Sequence, residues 1–271
     1  MNSVAVANAT APNRLTLQAI SVSVVVTACD RPALLQRALR SVDAQGAVRE
    51  VIVVDDSSVR WQPAIYDALS NWGNVRHIRV DSRSGASAAR NCGWSESTGS
   101  YVAFLDDDDW WLERYISRAL AKASSRGLDV VLAGFLEFRN GQLLPEKQPK
   151  SNLIATDFLL HNPGLRGSNL FIRKKRLTEL GGFDENLPCM NDMDLGYRLL
   201  KLNGLRYAPL DERLVVFNNH SQQRLSLAGS RAKALGLRRF FAKYRNLMDD
   251  ATAAAYVRKA RNFWKVQLCE V

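Results

Sequence analysis

The chain has 271 residues, 46% of them hydrophobic, enough to bury one large core as a single elaborated domain or two closely packed halves. Its four cysteines (Cys29, Cys92, Cys189, Cys269) lie far apart with no Cys-x-x-Cys pair, which argues against a disulfide framework or zinc site and for reduced thiols in a cytoplasmic protein. The net charge is +10, and from Gly229 to Val271 ten Lys or Arg residues face three acids, so most of the imbalance is C-terminal.

No apolar run reaches the roughly 18 residues of a membrane-spanning helix. Residues 1–20 lack both the basic and the apolar segments of a secretory signal and read as a loose tail. Ser21 to Thr27 is then a near-continuous β-branched run, the pattern of a strand buried on both faces. Pro32 opens a helical pattern through Val42 that puts Leu35, Ala38, Leu39 and Val42 on one side. Glu50 to Val54 is a second buried strand, ending in Asp55-Asp56-Ser57-Ser58. A helix near Pro63 to Leu69, a short strand from Arg76 to Val80 and a helix from Gly85 to Trp94 follow. They lead to the apolar run Tyr101 to Leu105, which stops abruptly in four carboxylates, Asp106 to Asp109, and an aromatic pair, Trp110 and Trp111. This βαβ series predicts the α/β class, with a mostly parallel sheet and flanking helices.

Parallel strands place their carboxyl ends along one edge, where open α/β sheets bind ligands. Thr27 and Asp30, Asp55 and Asp56, and Asp106 to Asp109 are therefore expected to face one crevice. Adjacent carboxylates repel one another, so a run of them at a strand end calls for a cation. An acid at such an edge also accepts hydrogen bonds from a ribose hydroxyl or a base N–H. The chain has no G-x-G-x-x-G after its first strand and no G-x-x-x-x-G-K-[ST], and it lacks the glycine- and lysine-rich amino-terminal loop of a nucleotidyltransferase. Phosphates would have to be held by other means, and a metal on the Asp cluster would serve.

The succession SVSVVVTACDRPALLQRALRSV, EVIVVDDSS, GASAARNCGW, GSYVAFLDDDDWW and GGFDENLPCMNDMDLGYRLL resembles the family 2 glycosyltransferases of the GT-A fold, across residues 21–226. The resemblance implies inverting transfer of a sugar from a nucleotide-sugar, usually UDP-linked, with Mg²⁺ or Mn²⁺. It implies that Asp56 reads the uracil and that Asp106-Asp107-Asp108 is the D-x-D element, whose last carboxylate coordinates the metal. The Glu-Asp pair that supplies the catalytic base falls on Asn191-Asp192, so the Asp is kept and the Glu is absent.

The residue chemistry agrees. A sugar diphosphate leaves readily only if its developing charge is neutralised, which a hard cation on carboxylate oxygens does. The acceptor hydroxyl must lose its proton to a base on the other side of the sugar, and Asp192 is the candidate. Asp194, two residues on, is expected to point elsewhere as a first-turn acid favoured by the helix dipole. Thr27, Asp30, Asp106, Asp107 and Arg90 are further candidates for the nucleotide-sugar, and His220 with Asp106 and Asp108 for the metal. Trp110 and Trp111 offer aromatic faces to a sugar ring, with core packing expected to claim one of them. Trp111, Ser168 and Asn169 are the acceptor-side candidates.

In the second half, Asp129 to Phe138 reads as a strand, Asn140-Gly141 as a turn, Gln142 to Pro149 as a polar loop and Gly167 to Ile172 as a strand returning toward the cleft. The division expected is a tail (1–20), a nucleotide-sugar half (21–110), an acceptor half (111–228) and a basic helical extension (229–271). In the extension, Phe240, Phe241, Tyr244, Leu247 and Met248 form an apolar helical face. Its cations suit packing with a solvated face or peripheral contact with an anionic membrane, such as the inner face of the membrane. The acceptor is a glycan, a lipid-linked saccharide, a protein or a small molecule. Nucleic acid is not expected, because four Asp at the binding edge would repel phosphates unless screened by metal. The alternative is a catalytically inactive sugar-nucleotide-binding module, motivated by Asn191.

Overall fold

A computed structural model describes residues 20–58, 75–218 and 228–268. Most of the amino-terminal tail, the helix expected near Pro63 to Leu69, His220 and Cys269 lie outside these residues. The first half consists of β1 (Val22–Ala28), α1 (Pro32–Asp43), β2 (Glu50–Asp56), β3 (Val75–Val80), α2 (Ala86–Ser95) and β4 (Tyr101–Asp106). Next come β5 (Trp110–Trp111), α3 (Tyr115–Arg126), β6 (Val130–Arg139), β7 (Gln142–Pro145), β8 (Leu170–Arg173) and α4 (Lys174–Leu180). The chain continues through α5 (Asn191–Leu200), β9 (Tyr207–Asn218), α6 (Arg231–Tyr244) and α7 (Asp250–Trp264).

Among the described residues one sheet runs in the order β3-β2-β1-β4-β8-β6-β9-β5, with β7 hydrogen-bonded to β6. β1, β2, β3 and β4 are mutually parallel, whereas β8 runs antiparallel between β4 and β6. Alternation along the strands divides the core in two. Val24, Val26, Val53 and Leu105 face α1 and α3 through Leu35, Leu39, Val42, Tyr115 and Ile116. Val25, Ile52, Val54 and Phe104 face the other way, onto the layer holding Ala89, Leu177, Leu195, Phe240 and Tyr256. Each such fully buried apolar side chain contributes about 1.5–3 kcal/mol relative to exposure.

Three local expectations are corrected. Gln142–Pro145 is not loop: the Asn140-Gly141 turn, with both residues at positive φ, closes a hairpin in which Leu136 pairs with Pro145. Gly167–Asn169 is a 3₁₀ turn, and the strand begins only at Leu170. Leu247 leaves the apolar face because α6 ends at Tyr244 and a 3₁₀ turn follows, so it is 54% exposed while Phe240, Phe241, Tyr244 and Met248 are buried.

Candidate active site

The carboxyl ends of β1, β2 and β4 meet, as parallel register requires: Thr27 lies beside Asp106 on β4, and Ala28 beside Asp55 on β2. The Thr27 hydroxyl donates to Asp106 Oδ1 at 3.1 Å, and the Asp107 amide donates to the Thr27 carbonyl at 3.1 Å. From Asp106 the acidic run crosses the sheet edge to β5, where Trp111 pairs with Val215 of β9.

The four carboxylates do four different things. Asp106 stays at the rim, its side chain 29% exposed. Burial works against its charge, but the Arg90 guanidinium and its hydrogen bonds prevail and hold the carboxyl below the usual range. Asp107 is fully buried and accepts from the Cys29 amide at 3.2 Å and from Arg31. Burial pushes its carboxyl up, opposed by the Arg31 charge. Asp108 keeps 11% side-chain exposure and its Oδ2 meets Arg31 Nη1 at 2.9 Å. Asp109 turns inward, accepting from the Ser168 hydroxyl at 2.6 Å and the Asn218 amide at 3.2 Å. Burial, then the Asp108 and Asp106 charges, pushes it up to about 7.

Asp107 therefore does not face the crevice, which corrects its expected nucleotide contact. Among the described residues no three His, Cys, Asp or Glu side chains form a ready-made metal cage. The rim carboxylates Asp106 and Asp108 nevertheless suit a hard cation: both are oxygen donors, both retain exposure, and Asp108 already binds the positive Arg31.

On the β2 side, Asp56 Oδ1 accepts from the Ser84 amide and hydroxyl at 2.8 and 3.0 Å, and Oδ2 accepts from the Gly85 amide at 3.0 Å. It thus anchors the loop entering α2, where Gly85 has φ 87°, a conformation natural to glycine. Asp30, itself at φ 53°, pairs with Arg83 across the same rim.

Arg90 on α2 is 4% exposed and links two acids. Its Nη2 donates to both Asp106 oxygens at 2.7 and 2.9 Å, and its Nη1 lies 4.0 Å from Asp192 on α5. Gly167 makes room for this arrangement, since a Cβ there would stand 2.6 Å from Arg90 Nη2. Asp192 keeps 23% side-chain exposure, yet its Oδ1 is buried with no hydrogen-bond partner. Burial raises its carboxyl above the ordinary range, and the Arg90 charge partly offsets this. Asn191 is also built in: its Nδ2 donates to the Ser87 hydroxyl at 2.9 Å and its Oδ1 accepts from the Asp192 amide at 2.8 Å. Asp194 is not a solvated first-turn acid but fully buried.

The acceptor-side candidates are corrected together. Trp111 is 2% exposed, packs on Tyr115 and donates from Nε1 to the Ser168 carbonyl at 2.8 Å, so it is core. Ser168 and Asn169 are fully buried: the Ser168 hydroxyl joins the Asp106 amide to Asp109, and Asn169 Nδ2 donates to the Ala133 and Gly164 carbonyls. Trp110 is half-buried under the Arg37 guanidinium, 3.9 Å from its ring centroid. Sequence reasoning missed Arg31, the counter-charge of Asp107 and Asp108, although its place just after Asp30 at the end of β1 was a usable signal.

Residues 23–180, more than half of the chain, match the glycosyl transferase family 2 profile. The chain is 28% identical over 192 residues to the glycosyltransferase AglE of Haloferax volcanii, covering 66% of this chain and 63% of AglE, so less than two thirds of that relative is spanned. It is 27% identical over 263 residues to WcaA of Escherichia coli strain K12, described as a colanic acid biosynthesis glycosyl transferase, covering 91% of each. It is 29% identical over 171 residues to the GalNAc(5)-diNAcBac-PP-undecaprenol beta-1,3-glucosyltransferase of Campylobacter jejuni, covering 60% of this chain and 54% of that one. The crystal structure of S. aureus TarS 1–349 in complex with UDP-GlcNAc shares the fold, with a TM-score of 0.69 at 20% identity over 90% of this chain and 74% of that one. Sheet topology, crevice and matched residues converge: the chain belongs to glycosyl transferase family 2.

Proposed function

We propose that this protein transfers a sugar from a UDP-linked donor to an acceptor hydroxyl with inversion, using Asp192 as general base. The observation that carries the reading is the placement of Asp192, whose Oδ1 lacks a hydrogen-bond partner, beside the Arg90–Asp106 pair at the carboxyl ends of the parallel strands. A carboxylate raised by burial and left with an uncommitted oxygen is suited to take a proton from an attacking hydroxyl. With the base on one side of the sugar and the diphosphate leaving on the other, the anomeric configuration inverts. The TarS complexes with UDP and UDP-GlcNAc support a uridine nucleotide here, with Asp56 near the base and Thr27 and Asp30 along the rim.

Asp108, with Asp106 beside it, would hold a divalent cation, Mg²⁺ or Mn²⁺, once Arg31 withdraws. The cation would supply charge neutralisation for the leaving diphosphate. Arg90 keeps Asp106 ionised at the rim, and Asp107 and Asp109, turned inward, hold the acidic segment against β1 and the Ser168 turn.

A peripheral membrane reading is favoured by one surface. Phe263 is 70% exposed on α7 near the exposed Arg258 and Arg261, and the Campylobacter relative is named for an undecaprenol-linked substrate. Among the described residues no helix is long and apolar enough to cross a membrane. Cys29, Cys92 and Cys189 carry free thiols, which supports a reducing, cytoplasmic setting. The test of the donor reading is a thermal-shift screen of nucleoside diphosphates with and without Mn²⁺. UDP should raise the melting temperature more than ADP or GDP, because only the folded state binds it. No shift with any nucleotide would sink the reading.

A further inference from the structure

The first turn of α5 carries two carboxylates held in opposite ways. Asp192 has one oxygen without a hydrogen-bond partner and its charged neighbour Arg90 stands 4.0 Å away, so its own contacts do little to fix its direction. Asp194, two residues on and fully buried, is gripped by donors from three side chains. Arg198 Nε and Nη2 reach Oδ2 at 2.8 and 2.7 Å, while Lys243 Nζ and the Tyr244 hydroxyl reach Oδ1 at 2.6 and 2.7 Å.

Lys243 and Tyr244 are the last two residues of α6, in the basic C-terminal segment. Lys243 also pairs with Asp184 at 2.6 Å, and Arg198 donates to the Leu180 and Gly182 carbonyls at 3.1 and 2.9 Å. The start of α5 is thus tied to the end of α4 and to α6 through one carboxylate. The turn itself begins at Met190, at φ 68°, whose carbonyl accepts from the Asp194 amide at 3.0 Å. A left-handed methionine persists only where its surroundings hold it.

We propose that Lys243 and Tyr244 are positioning residues, acting through Asp194 to fix the first turn of α5 and so aim Asp192 at the acceptor hydroxyl. This rests on the base role proposed for Asp192. It gives the C-terminal helix a part in turnover, separate from any surface it presents. The mechanical reason is that Asp192 is directed mainly by its backbone, and a displacement of about 1 Å in a reacting group can cost on the order of 10²-fold in rate.

The test uses the full-length chain, with UDP as binding probe and a panel of UDP-sugars, UDP-GlcNAc included, for nucleotide release. Tyr244→Phe removes one hydroxyl and keeps the ring between Tyr197 and Phe240, each 4.7 Å away. Lys243→Met removes one charge, and Lys243→Arg is the conservative control. The double variant Lys243→Met/Tyr244→Phe should keep UDP affinity within about twofold and lose about tenfold or more in kcat. The pH midpoint of kcat should also move to lower pH, because a loosened turn admits water to Asp192 and weakens the burial that raises its carboxyl. The charged and titratable groups facing Asp192, namely Arg90, Asp106, Arg166, Cys189 and Lys233, are unchanged in these variants. Lys243→Arg should restore both quantities. If the double variant fails to fold, Tyr244→Phe alone is read by the same criteria.

A lower melting temperature with kcat and pH midpoint both unchanged would overturn the inference, since that is the behaviour of a purely structural tie. Parallel loss of kcat and UDP affinity would overturn it too. If wild-type protein binds no UDP and releases none, the functional reading itself falls, a result distinct from either.

Discussion

Arg90 Nη2 donates to both carboxylate oxygens of Asp106, at 2.7 and 2.9 Å, in a pair whose guanidinium is 4% exposed. A cation this deeply placed is tolerated because Asp106, and at longer range Asp192, compensate it. Arg90→Met should therefore do more than weaken the crevice. It leaves a buried carboxylate uncompensated, and a loss of about 3–5 kcal/mol by urea denaturation is expected. A variant within about 0.5 kcal/mol of wild type would show that the pair is dispensable.

Asp108 makes the opposite case. It sits at the rim among like charges, so Asp108→Ala should leave the fold intact while abolishing Mn²⁺-dependent UDP binding in calorimetry. Tight, metal-dependent UDP binding by the variant would remove Asp108 from the cation site.

Activity should depend on pH through Asp192. The base works ionised and burial raises its carboxyl, so kcat should rise with pH through a midpoint above the ordinary Asp value of about 3.9 and fall as pH drops through it. Asn191→Glu would add a like charge next to Asp192 and should move the midpoint higher. An unmoved midpoint in that variant would show that position 191 does not sense the base.

The structure also redraws the membrane experiment. Lys243 is committed to Asp184 and Asp194, and Arg239 donates to the Asn186 carbonyl at 2.7 Å, so neutralising them confounds surface charge with packing. The informative set is Arg258→Gln, Arg261→Gln and Phe263→Ser. Flotation with anionic vesicles should weaken with salt and with each Arg removed, by about 1 kcal/mol apiece. Equal recovery with neutral vesicles would favour a simply solvated surface.

The strands, the first helices and the acidic edge were legible because β-branched runs and helical periodicity are local properties. Val24 and Val26 against Val25 already divide the two layers, and Pro32 already opens α1. What was not legible depends on contacts between distant segments. Asp109 turns inward because of Ser168, 59 residues away, and Asp194 is buried because Lys243, 49 residues on, returns to it. Trp111 looked like a sugar platform from its place after the carboxylates. Pairing with β9 instead carries it into the core, and only the tertiary fold determines that. Asn191 read as a lost Glu, whereas its amide joins Ser87 to the Asp192 backbone.

The central claim is that donor binding and proton removal reside in separate acids, and nucleotide release by Asp192→Asn tests it most directly. Release should be followed over a panel of UDP-sugars with Mn²⁺, alongside donor affinity by calorimetry. Wild type should release UDP, and Asp192→Asn should bind the same donor equally well while releasing it about 10²–10⁴-fold more slowly. Near-wild-type release by the variant, or a wild type that binds UDP-sugars and never turns them over, would contradict the account, the latter marking an inactive sugar-nucleotide-binding module.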